Sequence, residues 1–226
     1  MSNKHSIFIS KSKDEIEHVA SYLKTRHVKL VAESFLEFEE ASFEVKSPYE
    51  ILFFGSPRSV NYFLASEKIN PDVLIACSGD TTAELISTLG YSVSFNAGKY
   101  NSLNDSVLHF TEFAKGKHVL FPSSQISLRT YSKCLEPEYF QEKVVYKTHV
   151  ISKKISDCTI YFFTSPSNVK GFFTLNEMPD NYLCYAWGES TGSALKSNGV
   201  EYNLMASSNV SSVLLELKKL TQRKKD

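Results

Sequence analysis

The run Phe53-Phe54-Gly55-Ser56-Pro57-Arg58-Ser59-Val60 returns 109 residues later as Phe162-Phe163-Thr164-Ser165-Pro166-Ser167-Asn168-Val169. At the same offset Gly79-Asp80-Thr81-Thr82 falls on Gly188-Glu189-Ser190-Thr191, and Gly90 falls on Gly199. Three matches in one register are hard to reach by chance. A weaker echo, offset by 113, sets Ile7-Phe8-Ile9-Ser10 against Leu120-Phe121-Pro122-Ser123. A period of about 110 residues is too long for a solenoid repeat. The 226-residue chain therefore reads as two similar domains of ordinary size.

Short β-branched and aromatic runs recur along both halves: Ile7 to Ile9, Val28 to Val31, Ile51 to Phe54, Val73 to Ala76, Tyr91 to Phe95, His118 to Phe121, Thr159 to Phe163 and Tyr182 to Ala186. Helical patterns lie between them. Asp14 to Lys24, for example, repeats Ile16, Val19, Ala20 and Leu23 at helical spacing. Apolar runs this short, interleaved with helices, predict buried parallel strands joined by crossovers, hence an α/β fold with helices flanking each sheet. Phe35 to Phe38 and Val144 to Lys147 also read as strands, but neither leads into a helix. They either pair with each other or edge the same sheet.

Composition narrows the function classes. A hydrophobic share of 42% supports an ordinary core and is too apolar for disorder. Twenty-five basic and 25 acidic side chains cancel, so no global field attracts nucleic acid or an anionic membrane, and a polyanionic ligand would need local donors. No apolar stretch approaches the ~20 residues that cross a bilayer. The N-terminal segment, with only Ile7-Phe8-Ile9 as an apolar run, is no secretory signal, and the chain reads as cytoplasmic. Cys77, Cys134, Cys158 and Cys184 are scattered and read as reduced core fillers. The histidines, His5 among them, show no metal-ligand spacing, and no P-loop, dinucleotide fingerprint or nucleophile elbow is present. Neither metal nor cofactor is expected. The terminal Arg223-Lys224-Lys225 run reads as a solvated tail.

The repeated turns carry the chemistry. Ser56 and Ser165 stand where a helix begins, each followed by proline at a first-turn position. Their hydroxyls and the unpaired N–H groups of a helix start suit an anion. Thr82 and Thr191 place hydroxyls at a second pair of helix starts after Gly79 and Gly188. In open parallel sheets ligands gather beyond the carboxyl ends of the strands. The plain alternative is that such turns only punctuate strand and helix.

These turns, with Val145-Tyr146-Lys147-Thr148, in this order and spacing, resemble the uroporphyrinogen-III synthase family from Ile7 to about Leu217. The resemblance implies two α/β domains joined by a two-stranded antiparallel ladder, with the active cleft between them. Residues 1–34 and 150–226 would form one domain and residues 35–149 the other, the ladder lying near 35–38 and 144–148. It implies a cofactor-independent lyase that dehydrates hydroxymethylbilane, a linear tetrapyrrole, and closes it to uroporphyrinogen III with ring D inverted. The enzyme would be a monomer that receives its substrate from the upstream hydroxymethylbilane-forming enzyme.

Carried over residue by residue, Tyr146 matches the ladder tyrosine. It either donates a proton or hydrogen bond to the departing hydroxyl, or packs at the ladder with its own hydroxyl satisfied. Substrate carboxylates would meet Ser56, Arg58, Thr82, Ser165, Ser167 and Thr191, with Lys11, Ser123, Ser124 and Gln125 at further strand ends. Two departures stand out. Ser10-Lys11-Ser12 replaces an Arg-Pro pair, keeping charge and losing the bidentate fork. Asp80 and Glu189 put carboxylates where the family has proline, which also admits a binding protein for a polycarboxylate that performs no chemistry. A pair of receiver-like modules fits less well, because the first strand end lacks the acidic cluster they need.

Overall fold

The computed structural model describes residues 6–207 and 209–222; His5 and the Arg223-Lys224-Lys225 run lie outside the described residues. The chain divides into two compact units, Met1–Glu37 with His149–Asp226, and Phe38–Thr148.

The first unit holds β1 (Ser6–Ile9), α1 (Glu17–Lys24) and β2 (Lys29–Ala32). After the second unit it resumes with β9 (Ile160–Phe163), α5 (Pro166–Phe173), β10 (Leu183–Ala186), α6 (Glu189–Ser197), β11 (Asn203–Leu204) and α7 (Val210–Gln222). Its sheet runs β11-β10-β9-β1-β2, with parallel pairing throughout. One face buries Ile7, Ile9 and Phe162 against Val19, Leu23, Val213 and Leu217; the other buries Phe8, Tyr161 and Phe163 against Val169, Phe172 and Leu195. Strands apolar on both faces are what a sheet covered twice by helices requires.

The second unit holds β4 (Ile51–Phe54), α2 (Pro57–Ser66), β5 (Leu74–Cys77), α3 (Asp80–Thr88), β6 (Val93–Asn96), α4 (Leu103–Ala114), β7 (Val119–Ser124) and nearly all of β8 (Phe140–Val150). Its sheet runs β8-β7-β4-β5-β6 in parallel, and β3 (Leu36–Glu40) adds to β8 at the edge. Ala41 N–H donates to Val145 O and Ile151 N–H to Phe35 O, so partner numbers fall as β3 advances and the pair is antiparallel. Both chain crossings, at Glu37–Phe38 and Thr148–His149, fall within this strand pair.

The two sheets share one design. β4, α2, β5 and α3 each begin 109 residues before β9, α5, β10 and α6, and β1 begins 113 before β7. The first unit enters its sheet at the strand equivalent to β7, so it is a circular permutation of the second.

Several expected details shift. The strand expected to end at Phe121 continues to Ser124, because β8 pairs beside it through Ser123↔Val144 and Ser124↔Tyr146. Ser123 and Ser124 are therefore strand residues. The expected helix from Asp14 opens with a 3-10 turn over Asp14–Ile16, and β11 was invisible because two exposed residues carry no apolar pattern. Cys77, Cys158 and Cys184 are buried, Cys158 two residues ahead of β9; Cys134 is exposed and fills no core.

Candidate functional site

A cavity of about 310 Å³ opens at the carboxyl ends of β4 and β7 in the second unit. Its apolar wall is Phe53, Phe121 and Tyr131, with the Tyr131 and Phe121 rings 4.6 and 5.3 Å from that of Phe53. Its polar wall is hydroxyl-rich: Ser56, Ser59 and Ser78 from the β4 and β5 ends, and Ser123, Ser124 and Ser127 from β7 and the loop beyond. Ser56 N-caps α2 in a capping box, its Oγ accepting from Ser59 N–H at 3.2 Å while Ser59 Oγ accepts from Ser56 N–H at 3.2 Å. Pro57 at the first helical position costs no hydrogen bond there. Gly55 leaves open space over its Cα, so the backbone at the cavity mouth stays approachable.

Tyr146, on β8, lines the same cavity and is only 7% exposed. Its ring stacks on Tyr62 at 5.1 Å and meets Phe38 edge-on at 6.1 Å. The aromatic packing fixes where the phenol sits.

Opposite the serines, the loop after β7 carries Arg129 with a left-handed backbone, φ 56°. Arg129 Nε lies 3.0 Å from Glu142 Oε2, and Ser132 Oγ donates to Glu142 Oε1 at 2.5 Å. Ser132 is buried, the Glu142 side chain is 19% exposed and that of Arg129 56%. The carboxylate thus sits at the base and the guanidinium at the rim.

The family described as "HEM4: Uroporphyrinogen-III synthase HemD" matches residues 17–215, most of the chain. The chain belongs to the uroporphyrinogen-III synthase family. This is a family of lyases in tetrapyrrole synthesis, on the route to haem, acting on a small tetrapyrrole substrate. Solved structures agree on the fold. Uroporphyrinogen-III synthetase from Helicobacter pylori superposes with a TM-score of 0.71 at 19% identity, over 96% of this chain and 99% of that one. A mutant uroporphyrinogen III synthase from Thermus thermophilus superposes with a TM-score of 0.59 at 10% identity, over 97% and 99%. None of the curated proteins compared matches the chain.

In this uroporphyrinogen-III synthase family member, the structure brings Ser56, Ser123, Ser124 and Tyr146 to one cavity. Three other expected residues of the second unit do other work. The Arg58 guanidinium lies 3.5 Å above the Phe38 ring. Gln125 clamps the Thr148 backbone, accepting from its N–H at 2.9 Å and donating to its carbonyl at 2.8 Å. Thr82 is the third residue of α3 and only 3% exposed. Gly79, not a threonine, occupies the N-cap of α3, and the 96–98 segment closes over it: Asn96 donates to Asp80 Oδ1 at 2.7 Å. A Cβ on Gly98 would stand 3.0 Å from Gly79 Cα.

Four expected residues belong to the first unit. Ser165 N-caps α5, its Oγ accepting from Asn168 N–H at 3.2 Å and from Asn168 Nδ2 at 3.0 Å. Ser167 is half-buried, the second residue of that helix. Thr191 is 3% exposed, and Gly188 holds the N-cap of α6. Lys11 Nζ bonds Glu15 Oε1 at 2.9 Å and lies 5.4 Å from the Trp187 ring centre. Burial pushes the Glu15 carboxyl up, but the bonds from Lys11 and Ser12, with the Lys11 charge, hold it below its ordinary value.

Arg129, Glu142 and Ser132 escaped sequence reasoning. The available signal was the Ser- and Thr-rich tract from Ser123 to Ser132, polar and helix-free where the rest of the chain alternates strand with helix. Among the described residues, no His, Cys, Asp and Glu cluster is arranged to hold a metal ion, and no helix is long and apolar enough to cross a membrane.

Proposed function

We propose that this chain converts hydroxymethylbilane to uroporphyrinogen III without a cofactor, and that the serine-lined cavity of the second unit holds part of the substrate. The observation that carries the assignment is the meeting of Ser56, Ser123, Ser124 and Tyr146 at parallel-strand ends in a member of this family. The substrate's many carboxylates suit the hydroxyls of Ser56, Ser123 and Ser124, which supply donors without net charge.

Tyr146 is the proton donor in this reading. The C–O bond to the terminal hydroxyl breaks as the phenol protonates the departing oxygen, and the adjacent pyrrole N–H returns a proton to the phenolate, so that water leaves behind a neutral azafulvene. That electrophile is attacked by the substituted carbon of ring D to form a spirocyclic pyrrolenine, whose rearrangement inverts the ring before closure. Holding the chain bent selects this attack over direct closure, and positioning of this kind lowers a barrier by several kcal/mol. The test is product analysis: freshly made hydroxymethylbilane should yield mainly the type III isomer, whereas only type I at the uncatalysed rate would reject the assignment.

The non-catalytic binding reading drew on Asp80 and Glu189. Asp80 is engaged by Asn96 and stands outside the cavity lining, which removes much of that motive. We further propose that the enzyme acts as a monomer in the cytoplasm and takes its substrate directly from the upstream enzyme, since free hydroxymethylbilane closes spontaneously. Light scattering during chromatography tests the first point. A trapping experiment with excess competing synthase tests the hand-over, and fractionation the location.

A further inference from the structure

We propose that Glu142 is a positioning residue that presents the Arg129 guanidinium to the cavity as a fork for a ligand carboxylate. The proposal rests on the assignment above for the ligand's identity, not for the geometry. Arg129 and Glu142 form an ion pair whose nearest approach is Nε to Oε2 at 3.0 Å, and among the described residues none of the guanidinium N–H groups makes a hydrogen bond. An arginine whose Nη groups are unbonded keeps two near-parallel Nη–H donors, the arrangement that matches a carboxylate bidentately.

The backbone supports a functional reading. An arginine at φ 56° occupies a conformation that glycine or asparagine adopts with less strain. The loop holds it there: Arg129 N–H donates to Ser127 Oγ at 3.3 Å, and Lys133 N–H to Arg129 O at 3.2 Å. A half-exposed ion pair contributes little to stability, so the pair by itself does not account for the strained arginine. Strained residues persist where the surroundings enforce them, and they concentrate at ligand sites.

Glu142 does the aiming. Ser132 fixes one carboxylate oxygen, and the other lies 3.0 Å from Nε, so the ion pair keeps the guanidinium at the rim before a ligand arrives. The long Arg side chain then loses less rotamer freedom on binding. Glu142 also cancels the charge at the rim, which favours ligands that satisfy both Nη donors over any passing anion.

The test measures binding and turnover separately. Uroporphyrin III, a stable octacarboxylate, serves as the binding probe by fluorescence titration. Arg129→Ala and Glu142→Ala should each weaken binding about tenfold and raise KM similarly, with kcat within twofold. Glu142→Gln, which can keep a bond to Ser132 but loses the ion pair, should weaken binding about as much as Glu142→Ala. The double alanine variant should be no worse than Arg129→Ala. Arg129→Gly should lose binding to the same extent while its unfolding midpoint holds or rises. Additive losses, an unchanged Glu142→Ala, no binding by the parent, or an Arg129→Gly that loses binding and stability together would each overturn the proposal. Type III formation by the parent is scored independently, so loss of the functional assignment is seen apart from loss of this one.

Discussion

Ser59 and Asn168 occupy the same position of the duplicated turn, 109 residues apart, yet their side chains serve different ends. Ser59 Oγ stays within its own turn, bonded to the Ser56 backbone. Asn168 is 3% exposed; its Oδ1 accepts from Phe35 N–H at 2.8 Å and its Nδ2 donates to Ser165 Oγ. One copy of the turn borders a cavity, while the other ties down the chain where it leaves the first unit.

Asn168→Ala should therefore destabilise without touching the cavity. It strands the buried Phe35 N–H, and an unsatisfied buried donor costs about 1–3 kcal/mol. For a chain of this size each kcal/mol lowers the unfolding midpoint by roughly 2–4 °C. Thermal melting reads the drop, and KM should move less than twofold.

Gly171→Ala tests the same anchor by packing. In most helices this change gains about 0.5–1 kcal/mol. Here the new Cβ would stand 2.5 Å from Phe35 Cβ and 2.6 Å from Ile151 O, at the two chain ends flanking the ladder. Overpacking costs about 1–3 kcal/mol, so the sign reverses. A lowered urea midpoint is expected; an unchanged one means Phe35 can withdraw.

Tyr146→Phe separates chemistry from packing. The ring stack with Tyr62 and Phe38 is kept, so the melting point should hold within about 1 °C while turnover falls severalfold. Tyr146→Ala should lose both, with about 3–5 kcal/mol of stability gone as the buried ring is deleted. Equal turnover for the parent and the Phe variant assigns Tyr146 to packing alone.

Alkaline pH should weaken the first unit. Burial pushes the Cys184 thiol from 9.0 up to about 12 and the Tyr161 phenol from 10.0 up to about 12. The unfolded chain releases these protons first, so above about pH 9 it binds fewer protons than the native state and stability falls as pH rises. The contribution is fully present below about pH 8.5 and lost progressively toward pH 12. Melting curves between pH 7 and 11 read the slope, which Cys184→Ala should flatten. Cys134 alone among the four thiols is exposed, so one thiol per chain should react quickly with a disulfide reagent.

Central strands were legible because burial on both faces leaves an unbroken apolar run, as in Ile51–Phe54 and Ile160–Phe163. The pairing of Phe35–Phe38 with Val144–Lys147 was legible only as one of two options, since local pattern carries no partner information. Ser123 and Ser124 were misplaced because Pro122 looks like a strand end. Its missing N–H is tolerated in β7, whose pairing with β8 continues past it. Ser56 could be found from the Ser-Pro signature, whereas Arg129 and Glu142 are distant in sequence and meet only when the loop folds back on β8.

The chain's own order of residues determined the duplication, the alternation of buried strands and helices, and the capped turns, because each rests on neighbours within a few positions. Tertiary structure decided what each copy of the turn meets. Gly55 leaves space at the mouth, whereas in the equivalent place the Thr164 hydroxyl donates to Ser10 O and its N–H to Ser10 Oγ. A cap needs only a hydroxyl three residues from an N–H, but a cavity needs distant segments that stop short of filling it, and that is settled only when the whole unit packs.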